Sequence, residues 1–190
     1  MKYTALSALT ETGEVGRLQG YASRFGEPDQ AGDVVAPGAF ATSLETLKAA
    51  GRSVKFLWQH DPTRPIGVWQ EVMENKTGLW VSGEVLTDLP LGKDAAVLMA
   101  AGAIDGLSIG YRVVRAEKNR ETGGRTLLEI DLWEVSLVTF PMLPTARAEA
   151  DRPIRKAAPD LAEAILADGP EFNGPSDDDL AAALAEALVG

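Results

Sequence analysis

The chemistry on offer in this chain starts from an imidazole and a hydroxyl. His60, the single histidine among 190 residues, stands in Trp58-Gln59-His60-Asp61-Pro62, and Ser108 follows 48 residues later in Gly106-Leu107-Ser108-Ile109-Gly110. A base beside a hydroxyl nucleophile is the arrangement that acyl transfer uses. The order matters, because an α/β-hydrolase runs serine, then acid, then histidine. Here the histidine comes first. The Gly-x-Ser-x-Gly string is also not the elbow it imitates, since an elbow needs a helix directly after the serine. Ile109, Tyr111 and Val113 alternate with Gly110, Arg112 and Val114 instead, which predicts a strand. A histidine–serine pair on a β scaffold is the resulting expectation.

Each member has a plainer alternative. Along Val54 to His60 the even positions are Val54, Phe56, Trp58 and His60, so the histidine is expected to end an apolar strand face as a neutral proton acceptor. The alternative is a core histidine satisfied by a backbone carbonyl. Ser108 sits among glycines, which lets a substrate backbone approach and turns the N–H groups of Ile109 and Gly110, with Arg112, into candidate oxyanion or substrate-binding groups. The alternative there is a glycine-rich bend. A third group is offered by Thr126 to Thr139, where Glu134 interrupts the more apolar parity of the strand. A carboxylate buried without a donor costs several kcal/mol, so Glu134 is expected to pair with His60 and fix its tautomer, or else with Arg112. Asp131, on the opposite face, is the weaker candidate. Asp61-Pro62 reads as the start of a turn, and Asp33 lies in the glycine- and proline-punctuated loop 27–38.

The elements that must position these residues follow from periodicity. Strands are predicted at 2–9, 14–25, 53–60, 66–74, 78–87, 106–117 and 126–139. Helices are predicted at Gly38–Ala50 and Pro90–Ala101, the second stopped by Gly102, and a hairpin loop at Asn119–Gly124. Residues 1–147 read as one β domain. Residues 148–190 read as a linker and helical tail; from Asp151 onward they carry nine acids and three bases. Ser176-Asp177-Asp178-Asp179 starts a helix whose apolar stripe is Leu180, Leu184 and Leu188.

Composition closes off other classes. No cysteine and a lone histidine argue against disulfides, zinc or a cysteine nucleophile, and no cofactor or metal is expected. A net charge of −10 argues against nucleic acid as a partner. No apolar run approaches the roughly 20 residues of a membrane span, and the N-terminus lacks a signal-peptide core, so a cytoplasmic protein is expected.

In combination these segments resemble the prohead (capsid maturation) proteases of HK97-type tailed phages. The residues that carry the likeness are Gly20 to Phe25, Gly32-Asp33-Val34-Val35 with Pro37-Gly38-Ala39-Phe40, and Leu57-Trp58-Gln59-His60-Asp61 with Pro65-Ile66-Gly67. Gly106 to Tyr111 and Leu132 to Val138 followed by Pro141 complete it. The compact size and acidic, alanine-rich tail also look like the version found in gene transfer agents. The resemblance implies a herpesvirus-assemblin-like fold, a closed, mostly antiparallel β-barrel with flanking helices. It implies a serine endopeptidase with His60 as base and Ser108 as nucleophile, and Glu134 matches the acidic position of the family's Glu-Val-Ser motif. The implied substrate is the scaffold-like N-terminal region of the major capsid protein, cut inside the assembling prohead among other shell components. Self-cleavage in the tail is implied too, and homo-oligomerisation is left open. The family's Pro-Ala after the last strand is Pro141-Met142 here, beyond the proposed triad. Two rivals stand beside this reading: a catalytically silent capsid assembly or scaffolding protein of the same fold, and an unrelated small esterase, which the residue order disfavours.

Overall fold

The computed structural model describes residues 16–150. The expected strand at 2–9 and nearly all of the expected tail lie outside them. The chain runs β1 (Gly16–Arg24), β2 (Val34–Val35), α1 (Ala41–Ala49), β3 (Lys55–Trp58), β4 (Asp61–Glu74) and β5 (Gly78–Val85). It continues with α2 (Pro90–Ala100), β6 (Gly106–Lys118), β7 (Arg125–Val138) and β8 (Ala148–Ala150). Both helices fall where apolar spacing predicts them, and Gly102 takes the left-handed conformation (φ +70°) that ends the second. Two-residue β2 and three-residue β8 are too short for alternation to reveal.

β7 organises the sheet because both of its edges are in use. One edge pairs antiparallel with β6 from Gly106↔Val138 to Lys118↔Arg125, across the hairpin loop. The other takes two parallel strands in succession, β2 at Thr126 and Leu127, then β3 from Lys55↔Glu134 to Trp58↔Leu137. Between them α1 covers the gap. Ala39 O accepts the N–H of Ile130, and the Ser43 hydroxyl accepts the N–H of Leu132 at 2.8 Å. A buried backbone N–H needs such a partner, which is why a polar residue is the buried one in α1.

From β3 the sheet continues antiparallel through β4, β5 and β1 to β8. Its inner face is packed with Leu18, Phe56, Ile66, Leu79, Val81 and Leu137, each 1% exposed or less. Phe56 stacks on Trp69 with ring centroids 4.0 Å apart, and the Trp69 indole N–H donates to Val135 O, so the core is tied to β7 as well as packed on it.

The sheet does not close into the barrel that the resemblance implies. Past β8, one isolated bridge, Gly106↔Arg147, and two hydrogen bonds, Leu107 N–H to Ala146 O and Ala148 N–H to Asp105 O, reach the start of β6. The remaining outer edge of β6 has no strand partner among the described residues. The connection from β7 explains the shortfall: Pro141-Met142-Leu143-Pro144 contains two residues without an N–H, so ladder geometry is reached only from residue 146. The sheet is also mixed, since β7 has two parallel partners. Among the described residues no helix is long and apolar enough to cross a membrane.

Ser43→Ala should cost about 1–3 kcal/mol by leaving the Leu132 N–H buried without an acceptor. Chemical denaturation checks it, with a lower midpoint expected at an unchanged slope.

Candidate active site

β3 stops at Trp58 and the next two residues reverse the chain. Gln59 (φ +52°) and His60 (φ +62°) are both left-handed, and Trp58 pairs with Asp61 across them. Two positive central φ values are the mark of a type I′ turn, whose twist suits antiparallel strands. Neither residue is glycine, so the turn is strained by roughly 1–2 kcal/mol per residue. The end of β7 holds it in place. Gln59 N–H donates to Leu137 O (3.0 Å), Gln59 Nε2 to Thr139 Oγ1 (2.8 Å) and His60 N–H to Ser136 Oγ (3.1 Å). His60 therefore does not end an apolar strand face, as alternation predicts. It sits at a hairpin tip with its side chain 43% exposed. Just after the turn, Asp61 Oδ1 accepts the N–H and hydroxyl of Thr63, bonds that hold its carboxyl below the usual range, the hydroxyl first.

Glu134 meets His60 from β7. Its Oε1 lies 2.6 Å from His60 Nδ1, and its Oε2 accepts the Ser136 hydroxyl, also at 2.6 Å. Ser136, fully buried, thus touches both the carboxylate and the backbone of the turn. Sequence reasoning did not assign it a role. The signal was nevertheless there, as a second polar residue on the same strand face two positions on. Space for the carboxylate comes from β6: a Cβ at Gly110, the cross-strand partner of Glu134, would fall on its carboxylate. Gly110 is required as clearance.

Ser108 is the direct cross-strand partner of Ser136. Such pairs share a face with Cβ atoms about 4.5–5.5 Å apart, so Ser108 stands beside the residue that holds both Glu134 and His60. It is 5% exposed, and among the described residues no hydrogen bond joins it to His60 or to another side chain. Leu107 N–H already faces the outer edge of β6, toward Ala146. Alternation turns the Ile109 N–H to that same edge and the Gly110 N–H toward β7. Arg112 lies elsewhere. Its Nη2 contacts Asp131 Oδ2 at 3.3 Å, an oxygen that also accepts the Trp133 indole N–H, and four strand residues (about 13 Å) separate it from Ser108. Asp131 is thereby occupied away from His60, and the Glu134–Arg112 pairing does not form.

A cleft of about 260 Å³ opens where the sheet fails to close, lined by Ala22 and Ser23 of β1, by Leu107, Ser108, Ile109 and Tyr111 of β6, and by the loop before β2. Asp33 fixes that loop. Its Oδ1 accepts the Arg125 N–H at 2.8 Å and its Oδ2 the Arg125 Nη2 at 2.5 Å, and this guanidinium holds the Asp33 carboxyl below its usual range despite burial. The separation of 92 residues is why sequence reasoning saw only a loop aspartate. Among the described residues no group of three or more His, Asp or Glu is placed to hold a metal ion.

The mostly β scaffold is similar to that of two viral proteases of known structure. The bacteriophage T4 capsid assembly protease aligns at TM-score 0.51 and 12% identity over 64% of this chain and 81% of that one. The KSHV protease, solved with a hexapeptide phosphonate inhibitor, aligns at 0.51 and 14% over 92% and 76%. At those identities the likeness is one of fold alone. The family comes from sequence: a profile of the caudovirus prohead serine proteases matches residues 4–158, and this chain belongs to that family. The prohead protease of Enterobacteria phage HK97 is 32% identical over 135 residues, and that of Escherichia phage T5 is 30% identical over 127. These alignments take in 70% and 66% of this chain but 59% and 58% of those proteins, so the chain spans less than two thirds of either relative.

Asp33→Asn should destabilise the protein at neutral pH and much less in acid. A carboxyl whose folded pKa is depressed contributes fully above its unfolded value of about 3.9, and the contribution fades as pH falls through the lower folded value. Thermal unfolding of both proteins from pH 7 to pH 2 should show the gap closing toward acid; a gap independent of pH refutes it.

Proposed function

We propose that this chain is a serine endopeptidase of capsid maturation in which Ser108 is the nucleophile, His60 the base and Glu134 the group that orients the imidazole. The observation that carries the reading is the Ser136–Glu134–His60 chain of contacts ending beside Ser108. A carboxylate that accepts at both oxygens sets the imidazole hydrogen on Nδ1, which leaves Nε2 as the proton acceptor. The Ser108 oxygen attacks the peptide carbonyl carbon while its proton passes to Nε2. Collapse of the tetrahedral intermediate breaks the C–N bond, and the same proton leaves with the amine. Water then attacks the acyl-enzyme with His60 again as base, releasing the acid and restoring Ser108. The outward-facing Ile109 N–H supports the oxyanion.

Family membership supports the substrate: the scaffold-like N-terminal region of a major capsid protein, cut inside the assembling prohead, with self-cleavage in the chain's own tail. Co-expression with a candidate major capsid protein, read by intact mass spectrometry, tests both. Wild type should shorten the capsid protein, and Ser108→Ala should leave it whole; equal processing by Ser108→Ala overturns the assignment. Whole chains in both samples with shells still formed would favour the silent scaffolding protein. Glu134→Gln should fold normally and process about 10²–10⁴-fold more slowly. Ser136→Ala should be slowed less, with the loss in kcat and not in KM, because Ser136 positions Glu134 and touches no substrate.

A further inference from the structure

Resting on that reading, we propose that the cleft beside Ser108 is a specificity pocket for a cationic side chain, lysine or arginine, on the residue whose carbonyl Ser108 attacks. The cleft is built as a receptor for one side chain. Its volume of about 260 Å³ falls below the roughly 300–1,000 Å³ of sites that enclose a whole small molecule. Ser108, 5% exposed, is among the residues that line it, so the cleft lies directly beside the proposed nucleophile. The residue bearing the attacked carbonyl is the one nearest to it.

The charges in the pocket do not cancel. Glu27, Asp29 and Asp33 line it with a single cation, Arg125, and the Arg125 guanidinium is already taken up by Asp33 through Nε and Nη2. Asp29 uses only Oδ1 internally, for the N–H groups of Ala31 and Asp33. Glu27 uses only Oε2, for the Thr145 hydroxyl. Each therefore keeps one carboxylate oxygen with no hydrogen bond or ion pair among the described residues. The Tyr111 phenol, on the same wall, is pushed up first by burial and next by the charges of Asp29 and Asp33. Val35, Leu107 and Leu143 supply apolar wall. A long stem with a charged head fits such a lining, methylenes on the wall and cation at the acids.

The test uses the full chain and four peptidyl phosphonates that differ only at the phosphonate residue: lysine, arginine, norleucine or glutamate. Covalent labelling of Ser108 is followed by intact mass spectrometry. The lysine and arginine probes should label at least about tenfold faster than norleucine, which has a comparable stem without the charge, and glutamate should be slowest. In the Glu27→Gln/Asp29→Asn double variant, which keeps the acceptors used by Thr145 and the loop, the lysine-to-norleucine ratio should fall toward one. Thermal unfolding confirms that this variant is folded. If the variant does not fold, the lysine-to-norleucine ratio of wild type decides, measured at rising salt, which should lower it. Labelling of wild type with norleucine as fast as lysine overturns the pocket and leaves the nucleophile standing, as does a preference that survives the double substitution. No labelling of Ser108 by any probe overturns the nucleophile, and the pocket with it.

Discussion

β3 lies parallel to β7, and almost everything at the site depends on that pairing. Parallel neighbours run out at the same end, so the last residue of β3 arrives beside Leu137 just as β7 is about to leave the sheet. The turn that follows is forced onto the end of β7, where Ser136, Leu137 and Thr139 are ready to bind its backbone and the Gln59 amide. On its other edge β7 carries β6, so one strand holds Glu134, receives the imidazole and sets the register of Ser108. The turn after β3 and the β6–β7 hairpin, far apart in sequence, converge because a single strand has two edges.

The turn has its own energetic logic. Two left-handed residues without glycine are unfavourable in isolation and persist only where the surroundings over-determine them. Here they are over-determined by the contacts that also orient the site, since Ser136 binds the His60 backbone with the same hydroxyl that it offers to Glu134. Conformational strain and side-chain placement are thus one problem with one solution. The buried polar groups meanwhile leave few loose ends: Glu134, Ser136, Asp33 and Ser43 each have a partner.

Legibility followed the range of each interaction. The long strands and both helices declare themselves through local periodicity, which any window of residues displays. Glu134 was legible for a different reason, as a charge on a strand parity that otherwise reads apolar and so in need of a donor. His60 misled, because alternation continues formally through Gln59 and His60 and this pair lacks the Asn-Gly chemistry that announces a type I′ turn. Asp33, Ser43 and Gly110 owe their roles to partners that only the folded register brings near. Short β2 and β8 carry no pattern, and closure of the sheet was an analogy that two prolines between β7 and β8 defeat.

The part of the β6 edge that has no strand partner among the described residues has a consequence of its own. A strand edge is filled by backbone, and the backbone of a folded protein has already committed its own N–H and C=O groups. Only an extended segment, free of internal hydrogen bonds, can lie along such an edge without first giving something up. An edge of this kind therefore admits extended backbone before any side chain beside it comes into play.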